Sequence, residues 1–157
     1  MLSCSFKSCE SVLLGIKSIY DKTGITDGKR ILIDRLWPRG VRRSTANIDT
    51  WMNEIGPSTA LRLKLHAHPE WYPIFKKKYT AELEKNPLVN TLINRCRRDD
   101  IMLLYASRNH RQNNAVVLLS FLRERMKKTE KSGKTKEKDI NKSMASNTIP
   151  MPQSWIQ

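Results

Sequence analysis

Two short, continuous apolar runs place the tightest limit on what this chain can fold into. They are Ile31-Leu32-Ile33 and Ile101-Met102-Leu103-Leu104-Tyr105-Ala106. Neither alternates apolar with polar residues and neither is long enough for a helix, which is the pattern of strands covered on both faces. The stretch between them is dominated by three- and four-residue apolar spacings. Helices lying between buried strands favour parallel pairing, because a parallel connection needs a crossover. The expected fold is therefore α/β: a small, mostly parallel sheet with helices on both faces, in three layers.

The flanking segments fill in that frame. Residues 16–20 alternate and read as a first strand, and residues 21–30, with Gly24 and Asp27-Gly28, as a loop or hairpin connection. Ser44 is placed to cap a helix in which Ile48, Trp51, Met52 and Ile55 share a face, ended by Gly56-Pro57. Ser58 starts a short helix through Leu61 to Leu65. Pro69 opens another carrying Tyr72, Phe75, Tyr79 and Leu83, and Asn86-Pro87 leads into a third with Val89, Leu92, Ile93 and Cys96 on one face. After the second apolar run, a last helix aligns Ala115, Leu118, Leu119, Leu122 and Met126. Three segments follow: a loose leader over residues 1–15, a domain over 16–126, and a Lys-rich tail over 127–157 whose composition predicts disorder. Trp155 and Ile156, near the terminus, are the tail's only hint of a docking element.

At 157 residues and 39% apolar content the chain can bury one ordinary core without a metal or disulfide framework. Cys4, Cys9 and Cys96 are odd in number, which fits a reducing compartment. No apolar run approaches the ~20 residues of a bilayer span, and no signal peptide is recognisable, so a cytoplasmic location without membrane association is expected. The charge is unusual: 29 basic against 15 acidic residues, a net +14. Most of the excess lies within 16–126, which holds 21 basic and 11 acidic residues. Such a field concentrates phosphates, nucleic acid or acidic partners at the surface, and it also serves plain solubility.

If the two apolar strands are parallel, the loops that follow them share one rim of the sheet, where open α/β folds bind ligands. The first loop gathers Asp34, Arg35, Trp37 and Arg39, with Arg42 and Arg43 close behind. Guanidinium groups match phosphate and carboxylate oxygens bidentately, and an indole supplies a pocket wall. The second loop runs from Tyr105 through Arg108 and His110 to Asn113 at the start of the last helix, whose free N–H groups suit an anion. The competing reading makes the first loop a salt-bridged anchor for Trp37 and Asn113 a simple helix cap. No acid–base pair is evident, so no catalytic residue is assigned and enzymatic activity stays open. His66 and His68 lack a third ligand, and neither a metal nor another cofactor is expected. Lys76-Lys77-Lys78 among Trp71, Tyr72, Phe75 and Tyr79 is the segment best suited to nucleic acid. A small anionic ligand is thus the leading partner and nucleic acid the alternative.

The run Asp34-Arg35-Leu36-Trp37-Pro38-Arg39-Gly40, with Ile16-Lys17 and Tyr20-Asp21 upstream, resembles the YeaO-like family, a domain of unknown function (DUF488). Further stretches agree in order and spacing. They are Trp51 with Pro57-Ser58-Thr59 and Leu61-Arg62, then residues 75–83, then Leu103-Leu104-Tyr105-Ala106 with Asn113 and residues 115–118. The resemblance implies a compact α/β domain of bacterial or archaeal type, uncharacterised in function. It also exposes departures. Family members usually carry an acid where Asn109 stands and histidines where Gln112 and Asn114 stand, while Arg108 and Asn113 are kept. If the family site moves protons or holds a metal through those groups, this chain has a degenerate active site that binds the ligand without turning it over.

Overall fold

The structure is a computed structural model; it describes residues 12–144, with side-chain surroundings as far as residue 129. Most of the expected leader (with Cys4 and Cys9) and the end of the tail (with Trp155 and Ile156) lie outside the described residues.

Four strands form one sheet in the order β1-β4-β2-β3, every neighbouring pair parallel. They are β1 (Leu14–Ser18), β2 (Lys29–Leu32), β3 (Thr50–Trp51) and β4 (Ile101–Tyr105). The two apolar runs become the central pair β2 and β4, where Ile31, Leu32, Leu103 and Leu104 are fully buried, as is Ile33 just past β2. Parallel pairing needs this double coverage, since both faces must leave water.

β1 begins two residues before the expected strand. Its limits follow β4, with Leu14 opposite Ile101 and Ser18 opposite Tyr105. The Ile101 N–H donates to the Leu13 carbonyl (2.7 Å) and the Leu13 N–H to Asp100 Oδ1 (2.7 Å), extending the contact by one residue. The segment joining β1 to β2 is not a hairpin, because β4 lies between the two strands. Asp27, itself buried, organises this return. Its carboxylate accepts from Lys17 Nζ (2.9 Å), from the Gly24 N–H (3.1 Å) and from the Arg30 guanidinium.

The helix expected from Ser44 does not form. The segment instead runs beside β2 as β3, followed by a single 3-10 turn, Asn53–Ile55. Asn47 is left-handed at φ 48°, which breaks any helix through it. The open edge of β2 supplies the stronger partners. The Asp49 N–H donates to the Arg30 carbonyl (2.9 Å), the Met52 N–H to the Leu32 carbonyl (2.8 Å), and the Arg30 N–H to Asp49 Oδ2 (2.8 Å). Unpaired strand-edge groups thus find partners, and they outweigh a helical spacing that is only apparent.

The other helices match expectation: α1 (Thr59–Ala67), capped by Ser58 Oγ accepting from the Leu61 N–H; a 3-10 turn from Pro69; α2 (Tyr72–Lys85); and α3 (Leu88–Cys96). Phe75, Tyr79 and Leu83 of α2 and Val89, Leu92, Ile93 and Cys96 of α3 are buried, as the spacing predicts. The helix after β4, α4 (Asn114–Met144), continues beyond its expected apolar stripe, which ends at Met126, into the Lys-rich segment. Residues up to Leu122 pack as one unit, and the chain from Arg123 counts as another. On the sheet face bearing Leu32 and Leu104, side chains of segment 37–51 provide cover: Trp37, Val41, Ile48 and Trp51 join a cluster with Ile19. Among the described residues, no helix is long and apolar enough to cross a membrane.

Candidate functional site

The carboxyl ends of β2 and β4 meet, as parallel pairing requires, and Asp34 is the junction. Its Oδ2 accepts from the Ala106 N–H just past β4 (2.8 Å), and its Oδ1 accepts from the side-chain amide of Asn114, the first residue of α4 (2.9 Å). Its own carbonyl takes the Trp51 indole N–H (2.8 Å). Burial raises the pKa of this carboxyl, opposed by the hydrogen bonds from Asn114 and Ala106 and by the charge of Arg62.

The remaining expected site residues divide into two kinds. Several are structural struts. Arg35 donates from Nε to the Pro57 carbonyl (2.9 Å) and from Nη2 to the Gly56 carbonyl (3.1 Å), tying the loop to the start of α1. Trp37 donates to the Val41 carbonyl (2.7 Å) and meets Trp51 edge-on at 5.3 Å. Asn113 is buried; its Oδ1 caps the Val116 N–H (3.0 Å) and its amide reaches the Asn109 carbonyl (2.8 Å). Tyr105 is buried with its hydroxyl 2.9 Å from His110 Nδ1. Burial and the Asp21 charge raise its pKa, opposed by its hydrogen bond with Asn113.

Arg39 and Arg108 are different: both are exposed, and neither side chain makes an ion pair or hydrogen bond among the described residues. Arg39 is positioned through its backbone, whose carbonyl accepts from Tyr20 Oη (3.2 Å). Arg43, also exposed, stacks over both indoles, 4.8 Å from the Trp37 ring centre and 5.2 Å from that of Trp51.

The loop from Ser107 to Asn113 is a chain of amides. Asn109 Oδ1 accepts from the Arg111 and Gln112 N–H groups (3.0 and 2.9 Å). Asn114 holds the half-buried Asp34 carboxylate with a group that cannot titrate near neutrality. Proton transfer at Asp34 therefore has no imidazole or acid to pass to at this position. Among the described residues no group of three His, Cys, Asp or Glu side chains is placed to hold a metal ion.

Two further side chains belong to this neighbourhood and were not singled out from the sequence. Trp51, expected on a helix, became visible only once β3 paired with β2. Arg62 of α1 lies close enough for its charge to act on Asp34; its signal was the Leu61-Arg62 pair within the family resemblance, to which no site role was attached. A shallow depression of about 290 Å³ lies elsewhere, at the amino ends of β2 and β4 between Lys29, Asp49, Arg95 and Asp99. Arg95 and Asp49 are already bonded there, to Thr50 Oγ1 (3.1 Å) and the Arg30 N–H. The rim, rather than that hollow, holds the convergent chemistry.

Residues 13–142 match the family described as the inactive DUF488-N3 subclade. The chain belongs to the YeaO-like DUF488 family. It is 40% identical over 108 residues to the uncharacterized protein YeaO of Escherichia coli K12, covering 68% of this chain and 94% of that protein. Uncharacterized proteins of Mycobacterium bovis (Mb3100c) and Mycobacterium tuberculosis H37Rv (Rv3073c) are each 29% identical over 107 residues, covering 68% of this chain and 91% of theirs. No solved structure matches the chain. The DUF488 match runs through the rim, so Asp34, Asn109 and Asn114 all fall within the matched residues.

Proposed function

We propose that this chain is a DUF488 domain that binds a small phosphate- or carboxylate-bearing ligand at the strand rim and does not transform it. The observation that carries this reading is the rim's division of labour. Asp34 is held by an N–H and an amide, while Arg39 and Arg108 stand exposed without protein partners among the described residues. Cations free to turn toward a ligand suit oxyanions, and a carboxylate held by non-titrating donors is poorly suited to acid–base work. The subclade's description as inactive agrees with the second half of this reading.

A thermal-shift screen of the full chain tests it, using inorganic phosphate, phosphorylated metabolites, carboxylates and short oligonucleotides at low and moderate salt. A ligand at 100 times its Kd adds about 2.7 kcal/mol to stability. Stabilisation by a small anion that survives moderate salt and falls in Arg39→Ala and Arg108→Ala is the expected result. No shift with any small anion would end the proposal.

Nucleic acid is the alternative, resting on the net charge of +14 and the exposed Lys76, Lys77 and Lys78. On α2, however, Trp71 already has Lys64 Nζ at 4.4 Å and Lys78 Nζ at 5.4 Å from its ring centre. Its indole is engaged by the protein's own cations and is not an open platform for a base. Shifts seen only with oligonucleotides, and fading with salt, would favour this alternative.

A further inference from the structure

The hollow at the amino ends of β2 and β4 is lined by charges of both signs that do not pair with one another. Lys29 and Arg95 face it together with Asp49 and Asp99, around about 290 Å³. No ion pair joins any two of these four among the described residues. Lys29 and Asp99 are exposed, and their side chains make no hydrogen bond there either. Asp49 uses Oδ2 on the Arg30 N–H (2.8 Å) and leaves Oδ1 unengaged. Arg95 commits only Nη1, which donates to Thr50 Oγ1 (3.1 Å), and keeps its other donors.

Distance along the chain does not keep these groups apart. Asp99 follows Arg95 by one turn, and its N–H donates to the Arg95 carbonyl (3.0 Å), a spacing at which side chains are neighbours. Asp49 is tied to the residue after Lys29, its N–H on the Arg30 carbonyl (2.9 Å). Arg95 instead reaches across to β3, and Thr50 fixes its guanidinium at the wall of the hollow. An exposed ion pair is worth about 0–1 kcal/mol, so leaving these open costs the fold little. The base is closed by Ile31 and Ile101, both fully buried, so a ligand fits between the charged walls and not into the core.

We propose that this hollow is a second binding site, one for a small zwitterion of the α-amino acid class. Its carboxylate lies against Arg95 and Lys29, and its ammonium against Asp49 and Asp99. A simple anion would meet two carboxylates here, and a simple cation two basic groups. A ligand carrying both charges satisfies all four. The free donors of Arg95 fit a carboxylate, and an ammonium has N–H donors enough for both aspartates. The volume lies just below the ~300–1,000 Å³ of pockets for drug-sized ligands. With the closed floor, that size selects amino acids with short side chains, such as glycine, alanine and serine. The hollow sits at the end of the strands opposite the rim, so this site stands apart from the anion-binding reading and does not depend on it.

The test is an amide NMR titration of the isotope-labelled full chain with glycine, L-alanine and L-serine. Acetate and methylammonium serve as probes that carry one charge each. Saturable shifts of the Lys29, Thr50, Arg95 and Asp99 amides are expected with at least one amino acid, and both single-charge probes should bind at least about fivefold more weakly. Lys29→Met and Asp99→Asn alter exposed side chains without protein partners among the described residues, so both variants keep the fold. Each should weaken amino-acid binding by at least about fivefold. Asp99→Asn should also narrow the margin over acetate, and Lys29→Met the margin over methylammonium. Arg39→Ala, at the rim, should leave the titration unchanged. Acetate or methylammonium binding as tightly as the amino acids would overturn the proposal, by showing that one charge suffices. So would wild-type affinity in either Lys29→Met or Asp99→Asn, or a wild-type chain whose amides at the hollow shift with none of the three amino acids.

Discussion

Asp27 and Asp34 are both shielded carboxyls, yet their surroundings treat them oppositely. Burial pushes Asp27 up, but hydrogen bonds from Lys17, Gly24 and Arg30 together outweigh it, so its pKa lies below the ordinary aspartate value. Asp34 has only an N–H and an amide as direct donors, and burial wins. The sign of each pH effect follows from linkage. Asp27 binds a proton less readily folded than unfolded, so its stabilisation is complete above the ordinary range near pH 4 and is lost as pH falls through the lower folded value. Asp34 contributes the reverse: its share is present below that range and is lost as pH rises through its raised folded value. Removing Asp27 leaves Arg30 buried and unpaired, and breaking a buried pair costs about 3–5 kcal/mol. Since Lys17 reaches solvent, we expect Asp27→Ala to lose about 3 kcal/mol at pH 7 by urea denaturation. Repeated at pH 3, the gap between wild type and Asp27→Ala should narrow; a constant gap would show that the carboxylate charge is not what matters. Arg35→Ala should cost about 1–3 kcal/mol, because the Pro57 and Gly56 carbonyls lose their donor. It should leave phosphate affinity within about twofold of wild type.

At the scale of elements, sequence pattern succeeds where burial alone decides structure and fails where a neighbour's hydrogen bonds decide it. β2, β4, α2 and α3 each carry an apolar pattern that their own packing demands, and each lies where that pattern put it. β3 is only two residues long, and it exists because the edge of β2 needs partners. No local signal reveals that need, so Ile48, Trp51, Met52 and Ile55 read as a helix. The same logic governs the candidate site. The meeting of Asp34 with the loop after β4 was legible, because two buried strands with helices between them point their carboxyl ends one way. Arg62 was not, because a lone Arg beside Leu61 on a short helix reads as its wet face. Gly28 tests how firmly the central pair is joined. It is left-handed at φ 64°, where β2 begins beside β4, and an added Cβ would overlap the Asp100 backbone carbonyl. That carbonyl accepts from the Lys29 N–H (2.7 Å), so it cannot retreat without loosening the β2–β4 start. Gly28→Ala should therefore destabilise the domain by at least about 2 kcal/mol, above the cost of a left-handed alanine alone. A loss below 1 kcal/mol in urea denaturation would mean that this junction yields easily.

For the whole molecule, the question is whether its charge is spread over one binding surface or divided among separate tasks. Residues 127–157 carry seven lysines against three acids, and all the rim residues lie before them. The net +14 therefore falls to +10 when they are removed, while Asp34, Arg39, Arg62, Arg108 and Asn114 are untouched. A small anion held bidentately at the rim depends on a few directed hydrogen bonds, and distant charges add little to it beyond a Debye length of about 8 Å at physiological salt. An oligonucleotide depends on the number of phosphates neutralised, so its affinity tracks total charge and falls with salt at a slope of about −0.7 per contact for single strands. Deleting residues 127–157 should therefore leave phosphate- or malonate-induced stabilisation unchanged within error. The same deletion should weaken any oligonucleotide binding and flatten its salt slope by up to about 5, about 0.7 for each of the seven lysines removed. Loss of the small-anion effect on deletion would move the site away from the rim, since no rim residue is removed. An oligonucleotide slope that is steep and unaltered by the deletion would instead put the phosphate contacts on the domain itself, with Lys76, Lys77 and Lys78 the first side chains to replace.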